Sequence, residues 1–258
     1  NREGEQLGTL YGNKFITELS ELPSFVNNAE FDINDDGYVV WVGSGNAYTQ
    51  GISDSLWGTS GTLYSSDSSE SANYNWGIPI IYVDETGSDV ANLGSTVPDF
   101  NYAFSTDFRF KNFSIYALFE GQKGGNIYNL TRQWGMRDHK TGEDNQGGKS
   151  DENKKPSIYY DKLYNVRNTT SHFVEDGSYL KLQELSVRYN LNLSNFGLGN
   201  RLTVGVVGRN LLTWTEYSGY DPEVGHAASE GGSAVVSRFD GYGYPNFRTY
   251  SFILELDI

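Results

Sequence analysis

The stretch Phe247-Arg-Thr-Tyr-Ser-Phe-Ile-Leu-Glu-Leu-Asp-Ile258 decides the fold class. Tyr250, Phe252, Leu254, Leu256 and Ile258 fall on one face, while Thr249, Ser251, Glu255 and Asp257 fall on the other. A period of two is that of a β-strand whose faces meet different surroundings. Alternation by itself fits a soluble sandwich as well as a membrane barrel. A two-faced strand that ends the chain is what a barrel closing in a membrane is expected to show.

Working outward, Phe100, Tyr102, Phe104, Phe108 and Phe110 alternate with Asn101, Ser105, Asp107, Arg109 and Lys111. The pattern resumes after Lys111-Asn112 with Phe113, Ile115, Ala117 and Phe119, which predicts a hairpin with a very short turn. Leu185, Val187, Tyr189 and Leu191 continue the theme, as do Leu202, Val204 and Val206. A phase slip near Glu184 marks a bulge or a membrane boundary.

With the segment 9–17 added, strands are expected near 9–17, 100–110, 113–123, 179–191, 201–212 and 247–258. Their lengths suit membrane-crossing strands of about 9–11 residues. Short links, Lys111-Asn112 and 192–200, fall at one end. Long Gly-, Ser-, Asp- and Asn-rich segments, 18–99, 124–178 and 213–246, fall at the other. Sorting of this kind characterises outer-membrane barrels, with short periplasmic turns and long extracellular loops. Six strands do not close a membrane barrel, so a larger one is expected.

Composition narrows the field. A formal charge of −14 opposes binding to nucleic acid or anionic lipid surfaces, and the absence of Cys excludes a disulfide framework and thiolate metal sites. Aromatic residues make up 15% of the chain, with 19 Tyr, an excess that suits a membrane interface where a ring is apolar at its body and wet at its tip. The longest apolar runs, Val39 to Val42 and Ile78 to Val83, are far short of a spanning helix. The chain opens Asn-Arg-Glu-Gly without an initiator Met or signal sequence, so processing or a longer parent is expected.

Several phrases are co-linear with a known family. They are Glu3-Gly-Glu-Gln-Leu-Gly8, Pro98-Asp-Phe100, Phe110-Lys-Asn-Phe113, Glu120-Gly-Gln-Lys-Gly-Gly-Asn-Ile-Tyr128 and Phe173-Val-Glu-Asp-Gly-Ser-Tyr-Leu-Lys-Leu-Gln-Glu184. After them come Gly208-Arg-Asn-Leu-Leu-Thr-Trp-Thr215, Gly219-Tyr-Asp-Pro-Glu-Val224 and Asp240-Gly-Tyr-Gly-Tyr-Pro-Asn-Phe-Arg-Thr249. In this order and spacing the chain resembles the C-terminal part of the SusC/RagA family of TonB-dependent outer-membrane transporters of Bacteroidota. The resemblance implies an all-β fold: the last strands of a transmembrane antiparallel barrel of about 22 strands, with long extracellular loops and a plug that is not in this segment.

It further implies active import of a glycan or oligopeptide. A SusD-like surface lipoprotein would act as lid, TonB would pull through the plug region, and transporter and lipoprotein pairs would assemble as a dimer. No enzyme activity is implied. One departure is that the family usually ends in an aromatic residue where this chain has Ile258. The rival reading is a secreted carbohydrate-binding β-sandwich, which would need a second sheet burying the aromatic face of 100–119.

Candidate sites are few. Asp32-Ile-Asn34-Asp-Asp36-Gly-Tyr38-Val39 matches the first half of a calcium loop, with Asp32, Asn34, Asp36 and the Tyr38 carbonyl as ligands; Gly43 stands where the bidentate acid is expected. The alternative is an Asp/Asn/Gly turn. His139, His172 and His226 lack zinc-type spacing, and no nucleophile, zincin or phosphate-loop motif is present. Among the loop aromatics, Trp134, Tyr159, Tyr160, Trp214, Tyr217 and Tyr220 are candidates for stacking on a ligand, the competing role being loop-on-loop packing.

Overall fold

The computed structural model describes residues 4–49, 55–165, 167–193, 200–223 and 238–257. The chain forms two compact units, one of residues 1–94 and 128–174, the other of residues 95–127 and 175–258.

The second unit is built on a five-stranded antiparallel sheet. Its strands, in chain order, are β1 (Phe100–Phe110), β2 (Phe113–Lys123), β3 (Tyr179–Asn192), β4 (Arg201–Thr215) and β5 (Thr249–Asp257), and each pairs with the next. Register carries the sequence alternation straight across. Phe108, Ile115, Val187, Val206 and Phe252 form one row; Phe110, Phe113, Tyr189, Val204 and Leu254 form the next. Phe104, Phe252 and Leu254 are 63%, 84% and 75% exposed. So large and continuous an apolar face calls for a partner other than water. The sandwich reading required these rings to be covered, and they are not.

The slip near Glu184 is a pair of stacked bulges. Between Leu182 and Glu184, β3 advances two residues where β2 advances one, from Phe119 to Leu118, and β4 advances three, from Leu212 to Arg209. The extra residue of β4 falls in Gly208-Arg-Asn-Leu-Leu212, where Asn210 adopts φ 53°. Asn accepts this left-handed conformation better than most L-residues. Its Nδ2 donates to the Phe247 carbonyl at 3.0 Å, tying the bulge to the residues that lead into β5. Tyr102 lies over Gly121 in the neighbouring pair, where a Cβ would come within 2.3 Å of the ring.

The first unit is made from segments whose composition reads as loop. Short antiparallel pairs, Phe31–Ile33 with Val39–Trp41 and Ser60–Tyr64 with Ser71–Asn75, surround buried clusters. One cluster joins Phe15, Ile78, Tyr128, Met136, Tyr159, Leu163 and Phe173. Helices α1 (Leu130–Arg137) and α2 (Ser157–Leu163) supply part of it. Asn129 caps α1 by accepting the Arg132 N–H, and Pro156 precedes α2 with the extended geometry a helix start needs. The regions 18–99 and 124–178, expected as loops, therefore hold a core of their own.

The expected strand at 9–17 is corrected. Only Thr9–Gly12 is a strand, pairing with Ala91–Ser95, and it belongs to the first unit. Phe15 and Ile16 are adjacent and both 1% exposed, so both sides of the backbone are buried there and alternation fails.

Replacing Asn210 with Ala should destabilise the sheet by about 1–2 kcal/mol from left-handed strain, plus about 1 kcal/mol for the lost hydrogen bond. Gly at 210 should recover the first part only. Heat-modifiability of the receptor in detergent would measure both; equal stability of the Ala variant and the native protein would contradict the bulge account.

Candidate functional site

The face of the sheet opposite the aromatics is polar and charged. Asp107 and Arg109 on β1, Ser114 and Tyr116 on β2, and Glu184, Ser186 and Arg188 on β3 surround a concavity of about 290 Å³. Arg109 Nε donates to Asp107 Oδ1 at 2.9 Å, and Arg209 Nε to Glu184 Oε2 at 2.9 Å, the latter pair directly opposite across β3 and β4. Arg109 and Arg188 thus offer guanidinium groups on one wall, with acids beside them. Of these, Asp107, Arg109 and Arg188 lie on the polar face legible in the alternation; Glu184 was hidden by the phase slip.

At one end of the sheet the family phrases turn out to be clasps. Lys181 on β3 is buried, and its Nζ donates to Asp221 Oδ1 at 2.6 Å and to Glu223. Asp221 Oδ2 in turn accepts the Asn246 N–H at 3.2 Å, and Glu223 accepts from Asn246 Nδ2 at 3.0 Å. Gly177 sits where a Cβ would meet the Gly125 carbonyl oxygen at 2.4 Å, so no larger residue fits without moving backbone.

The chain is similar to TonB-dependent receptor P3 of Formosa agariphila, 34% identical over 168 residues, which are 64% of this chain and 17% of that receptor. It is 26% identical over 269 residues to TonB-dependent receptor P39 of the same organism, covering 95% of this chain and 24% of the receptor. The RagAB peptide importer in its 'open-open' state shares the fold, with a TM-score of 0.51 at 22% identity over 70% of this chain and 21% of that one. A second structure of the RagAB peptide transporter gives 0.51 at 20%, over 76% and 24%. No family model matches the chain. By sequence the chain is similar to TonB-dependent receptors, and it shares its fold with a segment of the RagAB importer. It spans about a fifth of the length of these relatives. TonB-dependent receptors reside in the outer membrane as β-barrels, and by name these relatives are receptors and importers, not enzymes.

In this TonB-dependent-receptor-like segment the calcium-like loop is a turn closed by a lysine. Asn34, itself buried, accepts the N–H groups of Asp36 at 3.0 Å and Tyr38 at 2.9 Å through Oδ1 and donates to the Tyr159 hydroxyl at 2.9 Å. Asp32 accepts the N–H groups of Ile33 and Tyr48. Lys155 Nζ lies 2.7 Å from Asp35 and 3.0 Å from Asp36, whose other donor is the Tyr159 hydroxyl. Burial would raise the Asp36 pKa, but hydrogen bonds from Tyr159 and Lys155 outweigh it and lower the value. Ca²⁺ needs about six to eight oxygen ligands. Here the side-chain oxygens serve backbone amides, a phenol and an ammonium, and among the described residues no three acids or histidines gather at metal-holding distance. The residues do not fit calcium.

Beside this turn, Arg132 grips Glu143 with two parallel hydrogen bonds of 2.6 and 2.7 Å. His172 bridges, Nε2 at 3.3 Å from Glu143 and Nδ1 at 2.7 Å from the Tyr38 hydroxyl. This network joins residues distant in sequence, and only His172 and Tyr38 had been singled out.

The candidate aromatics separate. Tyr159, Tyr160 and Tyr217 are buried, with Tyr217 donating to Asp240, so their rings hold the protein together and do not face a ligand. Trp214 lies on the apolar face, in the row of Tyr102, Gly121 and Leu180, the place of a membrane-interface ring. Trp134 is half-buried under the Arg137 guanidinium, 4.4 Å from its ring. Tyr220 is 83% exposed and is the candidate left free to meet a ligand. His226 lies outside the described residues.

Burial would raise the Glu143 carboxyl, but Arg132 and His172 outweigh it and hold it at about 2, below its ordinary 4.5. A depressed folded-state pKa stabilises fully above pH 4.5 and loses that contribution as pH falls toward 2. Glu143→Gln should therefore flatten the acid dependence of unfolding in that window, read by tryptophan fluorescence; an unchanged profile would contradict the network. Added calcium should leave the melting temperature unmoved, and a rise would restore the calcium reading.

Proposed function

We propose that this chain forms part of the wall of a closed barrel of about 22 strands, whose parent protein imports a glycan or oligopeptide across the outer membrane. The observation that carries the reading is the two-faced sheet, with exposed Phe104, Phe252 and Leu254 on one side and Asp107, Arg109, Glu184 and Arg188 on the other. Lipid favours the first face and a water-filled lumen the second. Among the described residues β1 and β5 each pair on one side only, and an open edge in lipid would strand its backbone groups, which supports closure by further strands.

In this reading the segment around Tyr220 lies at the extracellular mouth. A SusD-like lipoprotein closes over it, TonB acts through a plug upstream, and pairs of the two proteins assemble as a dimer. The segment contributes lumen wall and ligand contacts; it makes and breaks no bond. The name of the RagAB relatives as peptide importers supports the peptide side of the choice, and the sequence similarity to TonB-dependent receptors supports energy-coupled uptake.

The test is to extract the parent protein from outer membranes in mild detergent and follow uptake by cells that lack it. Co-purification of a lipoprotein and loss of uptake of labelled oligomers are expected; a water-soluble species of 28.8 kDa with unaltered uptake would refute it. Leu254→Arg should lower the yield of assembled receptor, at a cost of about 2–4 kcal/mol if the residue sits near the bilayer midplane. A yield equal to that of the native protein would argue that this face does not meet lipid.

A further inference from the structure

The first unit contains a half-open cavity of about 380 Å³. Its walls include the rings of Phe25, Tyr74 and Tyr82 and the amide of Asn73, a mixture typical of small-ligand sites. Two charged residues line it. Glu21 is already engaged, accepting from Lys14 and from the Thr17 N–H at 3.1 Å. Lys162, near the end of α2, is not.

Lys162 is half-buried, and among the described residues its ammonium makes no hydrogen bond or ion pair. Burial pushes its pKa below that of an ordinary lysine, and the longer-range charge of Asp89 offsets this only in part. Lys155 and Lys181, also buried, each have two carboxylates in contact. A desolvated cation with no acceptor is costly unless something arrives to pair with it. The chemistry that removes the cost is an anion small enough for the cavity, carried on a body that packs against aromatic rings.

We infer that this cavity receives a carboxylate-bearing residue of the imported oligomer, with Lys162 as its counter-ion and Phe25 and Tyr82 as packing surface. The inference rests on the import reading and narrows its substrate class to acidic oligomers. Two sources share the chemistry, a uronic acid sugar and the free C-terminus of a peptide. The volume suits one or two units, so the rest of the oligomer would lie outside. The chain's net charge of −14 repels anions at long range, which makes a close, desolvated contact the place where an acidic ligand is selected.

The experiment measures binding to the full-length receptor in detergent by calorimetry. One pair of probes is an oligouronate trisaccharide and its methyl-esterified counterpart; the other is a tripeptide with a free C-terminus and its amide. The acidic member of one pair should bind at least about tenfold more tightly than its neutral partner, as a charge-assisted hydrogen bond would provide. Which pair responds identifies the source. Lys162→Met should abolish that preference, and Lys162→Arg should retain most of it; a melting temperature no lower than the native protein's shows that each variant keeps the fold, and that of Lys162→Met should rise as the unpaired charge is removed. No preference in either pair, or a preference that survives Lys162→Met, overturns the inference. Uptake by cells separates the two readings. If neutral oligomers are imported and Lys162→Met changes nothing, import stands and the anion site falls. If the site binds anions but uptake does not need the receptor, the site stands and the import reading falls.

Discussion

A sheet placed between lipid and water must satisfy every backbone group through its neighbours while its side chains divide by parity. That constraint governs the second unit. Five strands hold register closely enough that Phe108, Ile115, Val187, Val206 and Phe252 line up across the sheet, with Asp107, Tyr116, Ser186 and Ser251 one position away facing the opposite side. A one-residue slip would reverse the faces of a whole strand. The two bulges near Glu184 are tolerated because they are stacked: β3 takes one extra residue and β4 two, so both return to register with β2.

The phrases that carry the family resemblance have physical work in this frame. Gly208-Arg-Asn-Leu-Leu houses the bulge and, through Asn210, holds the approach to β5. Gly219-Tyr-Asp-Pro-Glu supplies the two acids that neutralise buried Lys181. Asp176 accepts the N–H and hydroxyl of Ser178, making the tight turn into β3, and Gly177 lets the Gly125 backbone approach. Each of these motifs fixes a loop to a strand end.

The strands of the sheet were legible because period two survives in the sequence wherever each face meets one solvent. Legibility stopped at Phe15-Ile16, where both faces meet protein, and throughout the first unit, whose core draws Phe15, Ile78, Tyr159 and Phe173 from distant segments rich in Gly and Ser. The helix at Ser157–Leu163 left a signal in Pro156 and in the spacing of Tyr159, Tyr160 and Leu163, all buried. The partnership of Asp36 with Lys155, 119 positions apart, left none, and so the turn read as half a calcium loop. The aromatic candidates divide for a related reason: composition marks a ring as present but does not tell a packed ring such as Tyr159 from an open one such as Tyr220.

The central claim is that the sheet separates lipid from water; this segment carries no Cys, so a parent receptor freed of any Cys elsewhere makes it directly measurable. Single cysteines introduced in turn at Phe104, Asp107, Phe108, Arg109, Ser251, Phe252 and Leu254 of the parent receptor, labelled with a nitroxide in proteoliposomes, report access of oxygen against a water-soluble nickel chelate. The account predicts strict alternation, with oxygen favoured at Phe104, Phe108, Phe252 and Leu254 and the chelate at Asp107, Arg109 and Ser251. Uniform access of the chelate along β1 and β5 would contradict it.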